Sequence, residues 1–174
     1  MPFDLKQERK LRAKLRDRFV RKRQAGDREI SYLEGWHVIA EANRIFGFDG
    51  WDRETQESRC VYTKQNGNRF SAAYVVKVRV SVYAGDRQIV RDGSAAAEAT
   101  SESPGSAHEI AIKAAETDAT KRALVTFGSP FGLFLYCRAQ HRGLSVEARA
   151  IGKCRPRRPD SNDVTKIELV PKSE

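Results

Sequence analysis

The stretch "RFSAAYVVKVRVSVY", residues 69–83, restricts the fold of this chain more than any other. Val76, Val78, Val80 and Val82 recur with a period of two, and Val75, Lys77, Arg79 and Ser81 alternate with them. Successive side chains of an extended strand leave on opposite faces, so the pattern predicts one apolar face and one wet, cationic face. A helix would scatter the same valines around its axis. Asn66-Gly67 before the strand and Ala84-Gly85-Asp86 after it are turn signals. Neighbouring strands are therefore expected around residues 52–63 and 87–97, in an antiparallel sheet.

A sheet with one apolar face needs a layer to cover it. "SESPGSAHEIAIKAAETDATKRALVTFG" (residues 101–128) holds the last long helix, starting near Pro104. Ile110, Ala115, Ala119, Leu124 and Phe127 point in different directions around that helix, so it is expected to be buried on several sides, by its own sheet and by another subunit. Two helices are expected upstream. Residues 4–24 read as a basic helix with Leu5, Leu11, Leu15 and Phe19 near helical spacing. Residues 31–51 read as a second helix, with Ser31 and Glu34 as a capping box, Trp36, Ile39 and Phe46 buried, and Gly47 as the C-terminal cap. The fold class is α+β. Residues 1–142 form one domain, and residues 143–174 are a basic, proline-containing tail expected to be flexible.

The net charge of +9 sits at the ends. Residues 1–28 hold eleven Lys/Arg against four Asp/Glu, and residues 138–174 hold nine against five. Residues 29–137 hold twelve against fourteen. Basic ends suit a polyanion partner, and they also serve solubility. No apolar run approaches the roughly 20 residues that span a bilayer, and the N-terminus lacks the apolar stretch of a secretory signal. Cys60, Cys137 and Cys154 are odd in number and fit no metal spacing, so reduced thiols in an intracellular protein are expected.

Enzyme signatures do not emerge. No glycine-rich phosphate loop follows a strand. "HEIAI" begins like a zinc-protease motif but has Ile112 where the second His is required. His37, His108 and His141 are scattered, and Glu98, Glu102 and Glu109 read as surface carboxylates. The reading is a non-enzyme without cofactor or metal.

Lys121 and Arg122 pose the functional question. Asp118 lies three and four residues before them, so local ion pairs explain part of their presence. Local pairing does not explain two cations on the most alanine-rich helix, because a buried cation is costly unless it is paired or faces a groove. A groove lined by Lys121, Arg122 and the Lys77/Arg79 face would suit phosphates.

"YLEGWHVIAEANRIFGFDGW", then "NRF" and "VKVRV", then "TDATKRALVTFG", taken together over residues 10–137, resemble the Rad52 family of single-strand annealing proteins. The resemblance implies a curved antiparallel sheet on a long helix, protomers assembled into a ring, and single-stranded DNA held by its backbone in a basic groove. It puts Lys121 and Arg122 in that groove, and Arg69, just before Phe70, in a second DNA site. His37 stands where the family has Arg, Val125 where it often has Arg, and Phe48 where it has an aromatic after "FG". The Lys that completes the family's second site is absent from "EATSESPGS". The implied function is ATP-independent single-strand binding and annealing in recombination and double-strand-break repair. The implied partners are single-stranded DNA, double-stranded DNA, further copies of the chain, and a recombinase or single-strand-binding protein. The compact form leans toward a prokaryotic or phage setting, hence the cytoplasm and nucleoid. Competing readings are a single-stranded DNA or RNA-binding module without annealing activity, and an unrecognised nuclease.

Overall fold

The computed structural model describes residues 3–135, the side chains of Ala25 and Arg28 excepted. The element order is α1 (Leu5–Leu11), β1 (Val20–Ala25), β2 (Arg28–Leu33), α2 (Gly35–Phe46), β3 (Trp51–Asn66), β4 (Arg69–Ala84), β5 (Arg87–Ser101) and α3 (Pro104–Val125). Strands β3, β4 and β5 form an antiparallel sheet in that order, and β1 and β2 form a separate hairpin. The α+β class and the three central strands are as expected, with the strands longer than their sequence signals. The expected tail and domain boundary near residue 142, with Cys137, His141 and Cys154, lie outside the described residues.

Three two-residue turns share one design: Gly26-Asp27, Gly67-Asn68 and Gly85-Asp86. Their glycines have φ of 60°, 58° and 59°, where a side chain would crowd the backbone. Positive φ at the first turn position matches the twist of the flanking strands.

The valines of β4 carry the core. Val76, Val78, Val80 and Val82 are completely buried, and α3 packs over them and over β5. The buried side of α3 is a stripe of alanines every four residues, Ala107, Ala111, Ala115, Ala119 and Ala123, widened by Thr120 and Leu124. Small side chains bring the helix close to the sheet. A Cβ on Gly93 of β5 would lie 2.2 Å from the Ala119 carbonyl oxygen and 2.5 Å from the Ala123 nitrogen. At the end of α3, Phe46, Phe127 and Phe131 pack ring on ring, with Phe3 stacked on Phe46.

Several expectations are corrected. The basic helix over 4–24 ends at Leu11, and Val20–Ala25 is a strand paired with Arg28–Leu33. "QAGD" is a hairpin turn inside that unit, and its glycine conformation favours pairing over continued helix. The second helix begins at Gly35, because Ser31 is committed to the hairpin opposite Lys22. The capping box is therefore not formed: Glu34 is the N-cap and makes no side-chain cap bond. The buried side of α2 is His37, Val38, Ala42, Ile45 and Phe46. Trp36 is 62% exposed and Ile39 is exposed as well. Gly47 does cap the helix, with φ of 94°. Within one chain α3 is buried along one stripe only, and Ile110 on another side is half exposed.

Candidate functional site

Hairpin β1–β2 stands beside α3 and leaves a groove of about 670 Å3 between them, floored by Ala96 and Ala97 of β5. Arg23 and Tyr32 enter it from the hairpin; Lys113, Asp118 and Lys121 enter it from α3. The Tyr32 ring is the meeting point. The Arg23 guanidinium carbon lies 5.7 Å from its centroid and the Lys121 Nζ 6.0 Å. A cation over an aromatic face gains about 0.5–1 kcal/mol at an exposed site, enough to bias two flexible side chains toward the groove.

Asp118 organises the two cations of α3. Lys121 Nζ lies 3.4 Å from Asp118 Oδ1, and Arg122 Nε donates to Oδ2 at 2.9 Å. Burial works against ionisation of Asp118, but the Arg122 hydrogen bond and the Lys121 charge together outweigh it and hold its pKa below the ordinary value. The two cations diverge from this shared carboxylate. Lys121, 25% exposed, lines the groove, whereas Arg122 is 55% exposed and is not among its lining residues.

The remaining expected site residues lie elsewhere. Lys77 and Arg79 alternate with the buried valines, so they project from the sheet face opposite α3. Within the protomer they share no groove with Lys121. That face is not cationic either. Asp92 bridges Lys77 at 3.2 Å and Arg79 at 2.9 Å. The Arg79 hydrogen bond is the main cause that lowers the Asp92 pKa to about 2. Glu54 and Glu57 of β3 stand opposite Arg79 and Lys77. His37 is 6% exposed, stacked on Phe19 at 4.1 Å with Trp36 edge-on. Burial is the main cause that lowers its pKa below 6.5. Arg69 stands exposed at the β3–β4 turn opposite Asn66, and that turn contributes nothing to the groove. Phe48, between α2 and β3, is 86% exposed. Among the described residues no three or more His, Cys, Asp and Glu gather to hold a metal ion.

Sequence reasoning missed Arg23, Tyr32 and Lys113. Arg23 and Tyr32 were assigned to helices, and only the Gly26-Asp27 turn signalled the hairpin that brings them to α3.

A three-stranded antiparallel sheet under a long alanine-striped helix, with Arg23, Lys113, Asp118 and Lys121 lining a hairpin–helix groove, defines an α+β fold. Residues 5–150 match the Rad52/22 family double-strand break repair protein. The chain belongs to that family. Among curated relatives it is 38% identical over 129 residues to the DNA repair and recombination protein RAD52 of Kluyveromyces lactis, covering 73% of this chain and 29% of the relative. It is 36% identical over 129 residues to RAD52 of Saccharomyces cerevisiae, covering 73% and 27%. It is 33% identical over 150 residues to the DNA repair and recombination protein rad22 of Schizosaccharomyces pombe, covering 84% and 30%. The chain thus spans less than a third of the length of these relatives. They are fungal proteins and lend no support to the expected prokaryotic or phage setting. No helix of the described residues is long and apolar enough to cross a membrane.

Proposed function

We propose that this chain binds single-stranded DNA and anneals complementary strands in recombination and double-strand-break repair, without ATP, as an oligomeric ring. The observation that carries the reading is the groove in which Arg23 and Lys121 flank Tyr32. Family membership supports the biological role, and the relatives' names state DNA repair and recombination. The 16-residue strand β3, almost wholly exposed at a sheet edge, supports assembly, because an open edge offers unpaired backbone groups to a neighbour.

The mechanism is electrostatic. Two strands repel through their phosphates; cations along a groove neutralise one strand and release its counterions. Contacts to phosphates carry no sequence information, so binding is sequence-independent. The bases stay free to test an incoming complement, and the stability of the duplex drives the reaction. Arg122, Arg69, Lys77, Arg79, His37 and Phe48 belong to the proposal where neighbouring protomers bring them to the strand. About six phosphate contacts give a log–log salt slope near −4 for a single strand.

The test is the annealing rate of two complementary oligonucleotides without nucleotide, for wild type and for Lys121→Ala/Arg122→Ala. Fast annealing in the wild type, lost in the double variant, is expected. Wild-type binding without acceleration of pairing would refute annealing. It would favour a single-strand-binding module, for which the exposed Phe48 is a ready stacking surface worth about 1–3 kcal/mol per base. In that case Phe48→Ala weakens binding more than the double variant does.

A further inference from the structure

The groove cation Lys121 shares its charge with Asp118, and Lys77 and Arg79 share theirs with Asp92. A third set of cations is less neutralised. Lys6, Arg9 and Lys10 of α1 are spaced by three and four residues, so they share one helix face. With Arg44 of α2 they line an open cavity of about 550 Å3, whose other walls are Leu5 and Ala13. Lys10 Nζ donates to the Arg44 carbonyl oxygen at 2.6 Å, which ties the two helices together and fixes one ammonium at the rim. The Arg44 guanidinium is held by Glu41. Among the described residues neither Lys6 nor Arg9 has a carboxylate partner.

The position of this cavity matters. Helix α1 packs against α2 and against the short turn Ser129–Phe131. The Leu11 carbonyl closes on Gly128, just past the end of α3 that carries Lys121 and Arg122. Phe131 and Gly132 of the same turn line the groove. Both basic sites therefore border one turn. Among the described residues no aromatic ring lines the α1 cavity, so they offer no platform for bases there. Charges converging on a concavity focus the field on an approaching polyanion.

We propose that the α1–α2 cavity is a further phosphodiester-binding site, separate from the Lys121 groove and from the Arg69 turn, which takes the backbone of the incoming strand while the first strand lies in the Lys121 groove. The inference rests on the annealing reading. It assigns Lys6 and Arg9 to strand capture, distinct from first-strand binding.

The experiment saturates the full chain with one dye-labelled oligothymidylate. A second, non-complementary strand carrying another dye is then added, and its capture and any release of the first are followed by anisotropy across a salt series. Lys6→Ala/Arg9→Ala is expected to lower second-strand capture about tenfold and to flatten its salt slope by about 1.4, for two lost contacts. First-strand affinity stays within about twofold, and Lys6→Arg/Arg9→Lys keeps capture, because phosphate contact needs the charge and not the side-chain identity. Circular dichroism checks that each variant is folded. Undiminished capture in Lys6→Ala/Arg9→Ala overturns the proposal, as does a loss of first-strand binding equal to that of Lys121→Ala/Arg122→Ala. So does an effect confined to binding of an acidic peptide. A wild type that holds one strand and never a second overturns this inference and leaves the groove standing. A wild type that binds no strand removes both.

Discussion

Replacing Gly93 with alanine tests the contact that sets α3 on the sheet. The added Cβ would lie 2.2 Å from the Ala119 carbonyl oxygen, 2.5 Å from the Ala123 nitrogen and 3.1 Å from the Ala123 Cα. All three are helix backbone atoms, so no side chain can rotate away. To reach even a 3.0 Å contact the helix must withdraw by about 0.8 Å, a gap that forfeits a quarter to a half of each dispersion contact it opens. The alanine stripe, completely buried from Ala111 to Ala123, cannot fill that gap. Overpacking costs typically 1–3 kcal/mol, and a backbone-on-backbone clash belongs at the top of that range, about 3 kcal/mol. With a urea m-value of about 1–3 kcal/mol/M, the unfolding midpoint falls by about 1–3 M. Urea titration followed by circular dichroism at one fixed protein concentration is the assay, because any self-association makes stability concentration-dependent. Gly67→Ala is the control: its Cβ meets open space, and only its φ of 58° is unfavourable. Its cost is about 1–2 kcal/mol. A Gly93→Ala midpoint equal to wild type, or no lower than that of Gly67→Ala, would refute the close-packing argument. Because α3 also carries Lys121, the variant should weaken single-strand binding while both states are still folded.

Asp118→Asn removes the carboxylate that Lys121 and Arg122 share; single-stranded DNA binding at low salt should tighten and its salt slope steepen, both read by anisotropy. Stability should depend on pH through His37. Its folded pKa is lowered, so the unfolded chain takes up the proton more readily, and stability is full above about 6.5 and declines as the pH falls below it. His37→Phe should flatten a plot of urea midpoint against pH in that window. A second loss belongs to Asp92, whose contribution is present above the ordinary carboxylate value of 3.8 and disappears as the pH falls toward about 2; Asp92→Asn should remove it.

Local rules made the sheet legible. Period-two valines and glycine turns act over a few residues, and they placed β3, β4 and β5 and the start of α3 at Pro104. The same rules misread the N-terminal third. Leu5, Leu11, Leu15 and Phe19 approximate helical spacing, yet Val20–Ala25 pairs with β2, a partner that no local window contains. Once Ser31 enters that hairpin, the capping box cannot form and α2 starts later, which moves Trp36 to the surface.

The candidate site was legible in part. The sequence by itself placed Lys121 and Arg122 near the end of an alanine-rich helix three and four residues past Asp118, because spacing on a helix is a local quantity. It also determined that one face of β4 is core, and that the positive charge lies toward the chain ends. Which side of α3 is buried was decided by the tertiary structure: five of its six alanines form one stripe, the apolar Ile110 lies off it, and the close approach at Gly93 seats the helix on the alanine side. The fate of the other cations was likewise a long-range matter. Asp92, fifteen residues from Lys77 and thirteen from Arg79, neutralises both across the sheet. Tyr32 meets Lys121 only because a hairpin folds beside a helix nearly ninety positions later in the chain. Charge and hydrophobic period belong to the residues themselves, whereas a groove belongs to the elements that meet in it.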